Sequence, residues 1–76
     1  MKKRIGRKVY DTENAIFVHK YVYGYFGVPT GYEEVLFQTE DGYYFLYTRG
    51  GEESPYPKED IKRLSKENAH QWIAQH

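Results

Sequence analysis

Side chains suited to catalysis are few and poorly spaced. Ser54 and Ser65 have no accompanying base in a recognisable motif, so neither is predicted to be a nucleophile. The three histidines, at positions 19, 70 and 76, lack the spacing of a metal site, and the chain has no cysteine. The doublets 33–34 and 52–53 cannot form acid/base pairs alone, because adjacent strand residues point to opposite faces, and we expect solvated charges there. We predict no enzyme activity, no metal and no cofactor.

Side chains suited to binding are abundant. The 76 residues include nine Tyr, and rings of this kind supply large contact areas at a small loss of entropy. Six of the eleven acidic residues fall within 32–53, which would steer the chain towards a basic protein partner. The predicted partner-binding residues combine both classes: Tyr21, Tyr23, Tyr25, Phe26, Glu40, Asp41, Glu52, Glu53 and Tyr56.

Basic residues concentrate at the other end of the chain. Eleven basic and eleven acidic residues cancel, yet six basic residues fall within 1–20. The two segments could neutralise each other within the fold or form separate faces for separate partners. The basic cluster is interpreted as a solvated strand edge or as a phosphate-contacting patch, and consists of Lys2, Lys3, Arg4, Arg7 and Lys8.

The elements that must position these residues centre on a β-hairpin over 33–49. Two runs of β-branched and aromatic residues flank Asp41-Gly42, which favours a type I′ turn. A two-residue loop would place Phe37 opposite Leu46, whereas a three-residue loop with a bulge at Gly42 would place Phe37 opposite Phe45. Both registers put large apolar groups on both faces, so a helix should cover one face and loops or a partner the other.

The remaining segments are predicted from their local patterns. Residues 3–11 form an edge strand that Gly6 kinks or turns, and 11–15 form a helical turn. Residues 16–23 form a strand whose aliphatic side, Ile16, Val18, Lys20 and Val22, is expected to face the core. Loops span 24–31 and 50–60, with Tyr56 as a lid or a recognition element. Residues 57–64 could form a strand or the start of a helix. Of the two, the pattern favours a strand over 61–64.

A C-terminal helix over 66–75 completes the predicted fold. Ser65 is its expected cap, and Ala69, Trp72 and Ile73 recur on one side. We predict a single α+β domain over 1–76, with an antiparallel sheet of four or five strands and the helix packed on one face; a small SH3-like barrel is the alternative. The sequence shows no membrane-spanning run and no signal peptide, so we expect a cytoplasmic protein.

Five segments of the chain resemble a family of small bacterial and mobile-element proteins, most of them uncharacterised. The family pattern is roughly K-x-Y-D-T-E-x-A, E-x-L-Y-x-T, G-x-Y-F-L-Y, G-G and L-T-x-E-x-A-x-x-W. Residues 8–15, 34–39, 42–47, 50–51 and 64–72 resemble it, with Phe37 in place of its Tyr and Ser65 in place of its Thr. The chain differs from this family in its short 24–31 loop and in Pro-Tyr-Pro at 55–57. The resemblance implies the order of elements given above and an association with phages, where anti-defence proteins such as anti-CRISPR inhibitors occur. It implies no catalytic residue.

These observations predict a non-enzymatic inhibitor that blocks a nucleic-acid-handling complex sterically, such as a CRISPR complex. The alternative is a small nucleic-acid-binding accessory protein that uses the basic N-terminal strand. A third hypothesis is a dimer formed through an exposed strand edge.

Overall fold

A computed structural model describes residues 1–25 and 27–76 and shows a small α+β protein. Its elements are the strands β1 (Lys2–Ile5), β2 (Lys8–Asp11), β3 (Ile16–Tyr23), β4 (Tyr32–Gln38), β5 (Tyr44–Gly50) and β6 (Asp60–Leu64), and the helix α1 (Lys66–Gln75). A short 3₁₀ helix, Thr12–Asn14, follows β2. Strands β3 to β6 form an antiparallel sheet in chain order, and β1 and β2 form a separate hairpin. The predicted α+β class is confirmed, with an open sheet rather than a barrel.

The central hairpin adopts the register with a three-residue loop. Phe37 pairs with Phe45 and Val35 with Tyr47, as that alternative requires. The predicted type I′ turn is wrong, because Gly42 alone has a positive φ (93°) in this loop and Asp41 does not. The Gly42 amide donates to the Thr39 carbonyl (3.0 Å), so the loop is a turn closed by a left-handed glycine.

The N-terminal segment forms two paired strands, so the prediction of a single edge strand over 3–11 is wrong. Lys2 pairs with Asp11 and Ile5 with Lys8, so the chain reverses between β1 and β2. Gly6 permits the reversal with a φ of 64°, a value that L residues adopt rarely. The helical turn that follows is confirmed, since the Asp11 carboxylate accepts from the Glu13 amide.

The two faces of the sheet carry two clusters of buried side chains. The helix face packs Leu36 and Leu46 against Ala69 and Trp72 of α1. On the second face, Tyr10 of β2 packs edge-on against Phe45, with ring centroids 5.4 Å apart. The N-terminal hairpin therefore covers part of the face that the sequence assigned to loops or a partner.

Strand β3 contains a bulge that the sequence pattern did not show. Phe17 pairs with Phe37, but His19 pairs with Leu36, so Val18 is an extra residue. The bulge changes which side chains face inwards: Val18 and Tyr21 pack against the helix-face cluster, whereas Ile16 and Val22 are exposed. The expected aliphatic core side of this strand is wrong for those two residues.

The predicted strand and helix at the C-terminal side are confirmed. Residues 61–64 belong to β6, and the Ser65 hydroxyl accepts from the Asn68 amide (3.1 Å) as the N-cap of α1. Ala69 and Trp72 are buried as expected, but Ile73 is 38% exposed, so the prediction is wrong for that residue. Among the described residues, the helix is too short and too polar to cross a membrane.

Candidate partner-binding surface

Two loops meet at one end of the sheet. The β3–β4 loop and the segment after β5 begin side by side, because Tyr23 pairs with Tyr32 and Tyr32 with Gly50. Backbone hydrogen bonds join them: the Gly51 amide donates to the Gly31 carbonyl (2.9 Å) and the Glu53 amide to the Pro29 carbonyl (3.0 Å). We call the described residues of 24–31 together with 50–54 the two-loop end.

Glycine at position 51 allows the two loops to approach each other closely. A Cβ atom added at Gly51 would lie 2.7 Å from the Pro29 Cα atom, which is less than any ordinary contact. The Ser54 hydroxyl donates to the Gly51 carbonyl (2.7 Å) and fixes the segment further. The two-loop end is therefore held by backbone contacts that depend on a residue without a side chain.

Aromatic rings line this end of the molecule. Tyr25 is 83% exposed, and Tyr23 is half exposed and stacks on Tyr32 with ring centroids 5.2 Å apart. Tyr25 and Tyr32 also line a groove with Val28 and Pro29. Phe26, the fourth predicted aromatic anchor, lies outside the described residues. Tyr23 and Tyr25 thus both lie at this end of the sheet, and their role as anchors for a partner stays a prediction.

Two predicted acidic residues lie at the same end. Glu52 and Glu53 are exposed, and neither forms a salt bridge within the described residues. Beside them, Glu33 binds Lys20 (3.0 Å) and Arg49. Burial works to raise the pKa of Glu33, but the hydrogen bonds from these two cations hold that pKa below its usual value. The negative charge available to a partner is therefore that of Glu52 and Glu53.

The other two predicted acidic residues lie at the opposite end of the sheet. Glu40 and Asp41 form the tip of the β4–β5 hairpin. Asp41 accepts from Lys8 (2.6 Å) and Thr39 (2.7 Å), and these hydrogen bonds lower the pKa of the Asp41 carboxyl. The structure thus separates Glu40 and Asp41 from the two-loop end, and Asp41 has an intramolecular partner.

Tyr21 and Tyr56 point into the fold rather than outwards. The Tyr56 hydroxyl donates to Glu34, and the Tyr21 ring packs against the His76 ring with centroids 4.5 Å apart. Both tyrosines are half-buried. Pro-Tyr-Pro therefore acts as a lid on the core, which was one of the two roles that the sequence allowed.

Glu34 is a buried carboxylate that the sequence analysis missed. It was expected to be solvated, yet Glu34 is only 8% exposed and accepts from both Trp72 Nε1 (3.1 Å) and the Tyr56 hydroxyl. The two oxygens thus have separate donors from α1 and from the loop after β5, and this satisfies the buried charge. The signal in the sequence is the alternation of β4, which places Glu34 on the same face as Leu36.

The basic N-terminal residues are partly neutralised within the fold. Lys3 lies 2.6 Å from Asp60, and Lys8 lies 2.6 Å from Asp41. The bond from Lys3 lowers the pKa of the Asp60 carboxyl. Of the two explanations for the uneven charge distribution, these contacts favour intramolecular complementarity.

Comparison with protein-family models, curated proteins and solved structures found no match to this chain.

Proposed function

We propose that this protein is a non-enzymatic inhibitor that binds a basic protein surface through its two-loop end. The observation that carries the proposal is the juxtaposition of the highly exposed Tyr25 with Glu52 and Glu53 on two loops joined by backbone hydrogen bonds. Aromatic anchors surrounded by charged groups are typical of protein-binding surfaces.

The chemistry of this surface favours a partner that normally binds nucleic acid. Lys and Arg side chains that contact phosphates also pair with carboxylates, and two adjacent carboxylates offer them an alternative anion. Tyr25 would add apolar contact area at a small entropic loss, because a tyrosine has few rotatable bonds. Occupation of the basic surface would exclude nucleic acid sterically, without any covalent chemistry.

The narrower proposal is that the target belongs to a bacterial defence system, such as a CRISPR complex. Its support is the resemblance of residues 8–15, 34–39 and 64–72 to mobile-element proteins. The inhibitor would then act in the cytoplasm, where such complexes bind their nucleic acids.

The alternative of direct nucleic-acid binding has weaker support. Lys3 and Lys8 already bind Asp60 and Asp41, and the chain has a formal net charge of zero. Binding to phosphates depends on the release of counterions by unpaired cations, so paired lysines contribute less to it. Within the described residues, these pairs leave Lys2, Arg4 and Arg7 as the members of the basic cluster without a salt bridge.

Affinity capture with matched variants tests the proposal. Immobilised wild-type protein is exposed to bacterial lysate, and the retained proteins are identified by mass spectrometry. We expect a nucleic-acid-handling complex to be retained, and Tyr25→Ala or the double variant Glu52→Lys/Glu53→Lys to reduce its retention by about tenfold or more. A tenfold loss corresponds to about 1.4 kcal/mol, and truncation of an important interface residue costs more than about 1 kcal/mol.

The controls lie at the opposite end of the sheet. Tyr43→Ala removes another exposed tyrosine and Glu40→Lys reverses another exposed acid. Both should retain the complex as the wild type does. Equal retention by all variants, or retention of no such complex by the wild type, would contradict the proposal.

A further inference from the structure

The two edges of the four-stranded sheet differ in chemistry. Strand β6 has five residues, and Asp60, Lys62 and Arg63 supply the charges that protect an edge from pairing. Strand β3 has eight residues, Lys20 is its only Lys, Arg, Asp or Glu, and it contains no proline. Among the described residues, no strand pairs with the outer edge of β3.

Strand β3 also exposes apolar side chains at both of its ends. Ile16 and Phe17 are exposed at the start of the strand, and Val22 and Tyr23 at its end. Such an edge presents unpaired backbone N–H and C=O groups between apolar side chains, which favours the addition of another strand.

We infer that β3 pairs with β3 of a second copy of this chain, in an antiparallel arrangement around a two-fold axis. This pairing would join two four-stranded sheets into one of eight strands. This pairing does not require the function proposed for the two-loop end, although Lys20 and Val22 of β3 line the same groove as Tyr25.

The pattern of exposed residues is self-complementary. An antiparallel partner brings the Ile16–Phe17 end of one copy against the Val22–Tyr23 end of the other. Phe17 and Val22 lie on the second face, since they pair with Phe37 and Glu33 of β4. Ile16 and Tyr23 lie on the helix face, opposite Gln38 and Tyr32.

The bulge in β3 makes these faces agree. Without an extra residue, Phe17 and Val22 would lie on opposite faces, because they are an odd number of positions apart. The shift between Phe17 and His19 puts them on the same face. Each copy then places Phe17 beside the other copy's Val22, and Ile16 beside its Tyr23.

Charge at the axis is balanced within each copy. Lys20 lies at the middle of the strand, where two like charges would face each other and disfavour pairing. Its Nζ atom is 3.0 Å from the Glu33 carboxylate of the neighbouring strand, which Arg49 also binds, and this contact reduces the repulsion between the two lysines. A strand-edge interface is smaller than the ~1,600 Å² of a standard interface, so the dimer should dissociate at micromolar concentration.

Sedimentation equilibrium of the full chain, from micromolar to near-millimolar concentration, tests this pairing. The wild type should approach twice its mass of 9.1 kDa as concentration rises. Val22→Lys should raise the dissociation constant of the dimer by about tenfold or more, because both copies bring a charge to the interface. Val9→Lys is the matched control, since Val9 and Val22 are strand valines that are both 53% exposed; it should leave the constant within about twofold.

A second variant tests the same interface in case Val22→Lys does not fold. Phe17→Thr introduces a β-branched residue, which favours a strand, and removes the ring that meets Val22, so it should also weaken the dimer. A wild type that stays monomeric at every concentration would overturn the inference and leave this edge to a strand of another protein. A dimer that Val22→Lys and Val9→Lys affect equally would overturn it as well, because the copies would then meet elsewhere.

Discussion

Glu34 connects three parts of the fold through one carboxylate. It lies on β4, accepts from Trp72 of α1 and accepts from Tyr56 of the loop after β5. A buried carboxylate without donors would be strongly destabilising, so the two donors and the carboxylate depend on one another. The lid formed by Pro-Tyr-Pro is thereby fastened to the helix face by a charge-assisted hydrogen bond.

At the scale of this residue, the stability of the protein should depend on Tyr56 at high pH. Burial, and then the hydrogen bond to Glu34, raise the pKa of Tyr56 from 10.0 to about 12. Since the folded state keeps the proton more tightly, the contribution of Tyr56 is complete below pH 10 and is lost as the pH rises towards 12. Urea unfolding of wild type and Tyr56→Phe, repeated between neutral and alkaline pH, measures this contribution.

The variant should differ from the wild type in two ways. At neutral pH, Tyr56→Phe leaves Glu34 with Trp72 as its hydrogen-bond donor and should lower the free energy of unfolding by about 1–3 kcal/mol. As the pH rises towards 12, that difference should shrink. Tyr25→Phe, an exposed control, should behave as the wild type does. A difference for Tyr56→Phe that stays constant across this range would contradict the role assigned to the hydroxyl.

At the scale of elements, the two-loop end depends on the close approach of two backbones. Gly51→Ala would force the added methyl group against Pro29, and neither backbone can move without loss of the hydrogen bonds that join the loops. We expect a loss of about 1–3 kcal/mol in the free energy of unfolding, as for other overpacked sites. Amide hydrogen exchange should become faster at Gly51 and Glu53, the two donors.

The neighbouring substitution Glu52→Ala is the control for this prediction. Glu52 is exposed, so its removal should change the free energy of unfolding by less than about 0.5 kcal/mol and leave exchange at Gly51 and Glu53 unchanged. If Gly51→Ala is as stable and as slowly exchanging as Glu52→Ala, the loops are not held in the way described.

Local patterns predicted most of the elements but not how they meet. The cap at Ser65, the strand over 16–23 and the helix over 66–75 follow from residue types that act within a few positions. The bulge at Val18 does not, because it depends on the register in which β3 pairs with β4, and the local pattern of β3 does not contain that register. Gly6 indicated a kink or a turn, but only the antiparallel pairing of Lys2 with Asp11 and of Ile5 with Lys8 shows that the chain reverses there.

The sequence predicted which types of residue form the candidate site, but it did not predict which of those residues lie together in the fold. Tyr25, Glu52 and Glu53 were chosen as exposed aromatic and acidic residues, and the structure brings them to one end. Asp41 had the same character in the sequence, but Lys8 binds it across the fold. Such long-range pairings decide which charges remain available, and no local pattern contains them.

At the scale of the whole molecule, charge is distributed between internal pairing and one exposed end. Lys3, Lys8 and Lys20 are matched by Asp60, Asp41 and Glu33, whereas Glu52 and Glu53 form no salt bridge among the described residues. Exposed pairs of this kind add little stability, so their main effect is on which charge a partner meets. The proposed inhibitor would present its acidic, aromatic end, while four of its eleven basic residues form salt bridges among the described residues: Lys3, Lys8, Lys20 and Arg49.

Displacement of nucleic acid tests the central claim most directly. A labelled oligonucleotide is bound to the complex retained in the capture experiment, and its fluorescence anisotropy is followed as this protein is added. We predict that the wild type releases the oligonucleotide and that Glu52→Lys/Glu53→Lys and Tyr25→Ala need about tenfold more protein to do so. An oligonucleotide that stays bound while the complex is saturated with wild-type protein would contradict the proposed steric inhibition.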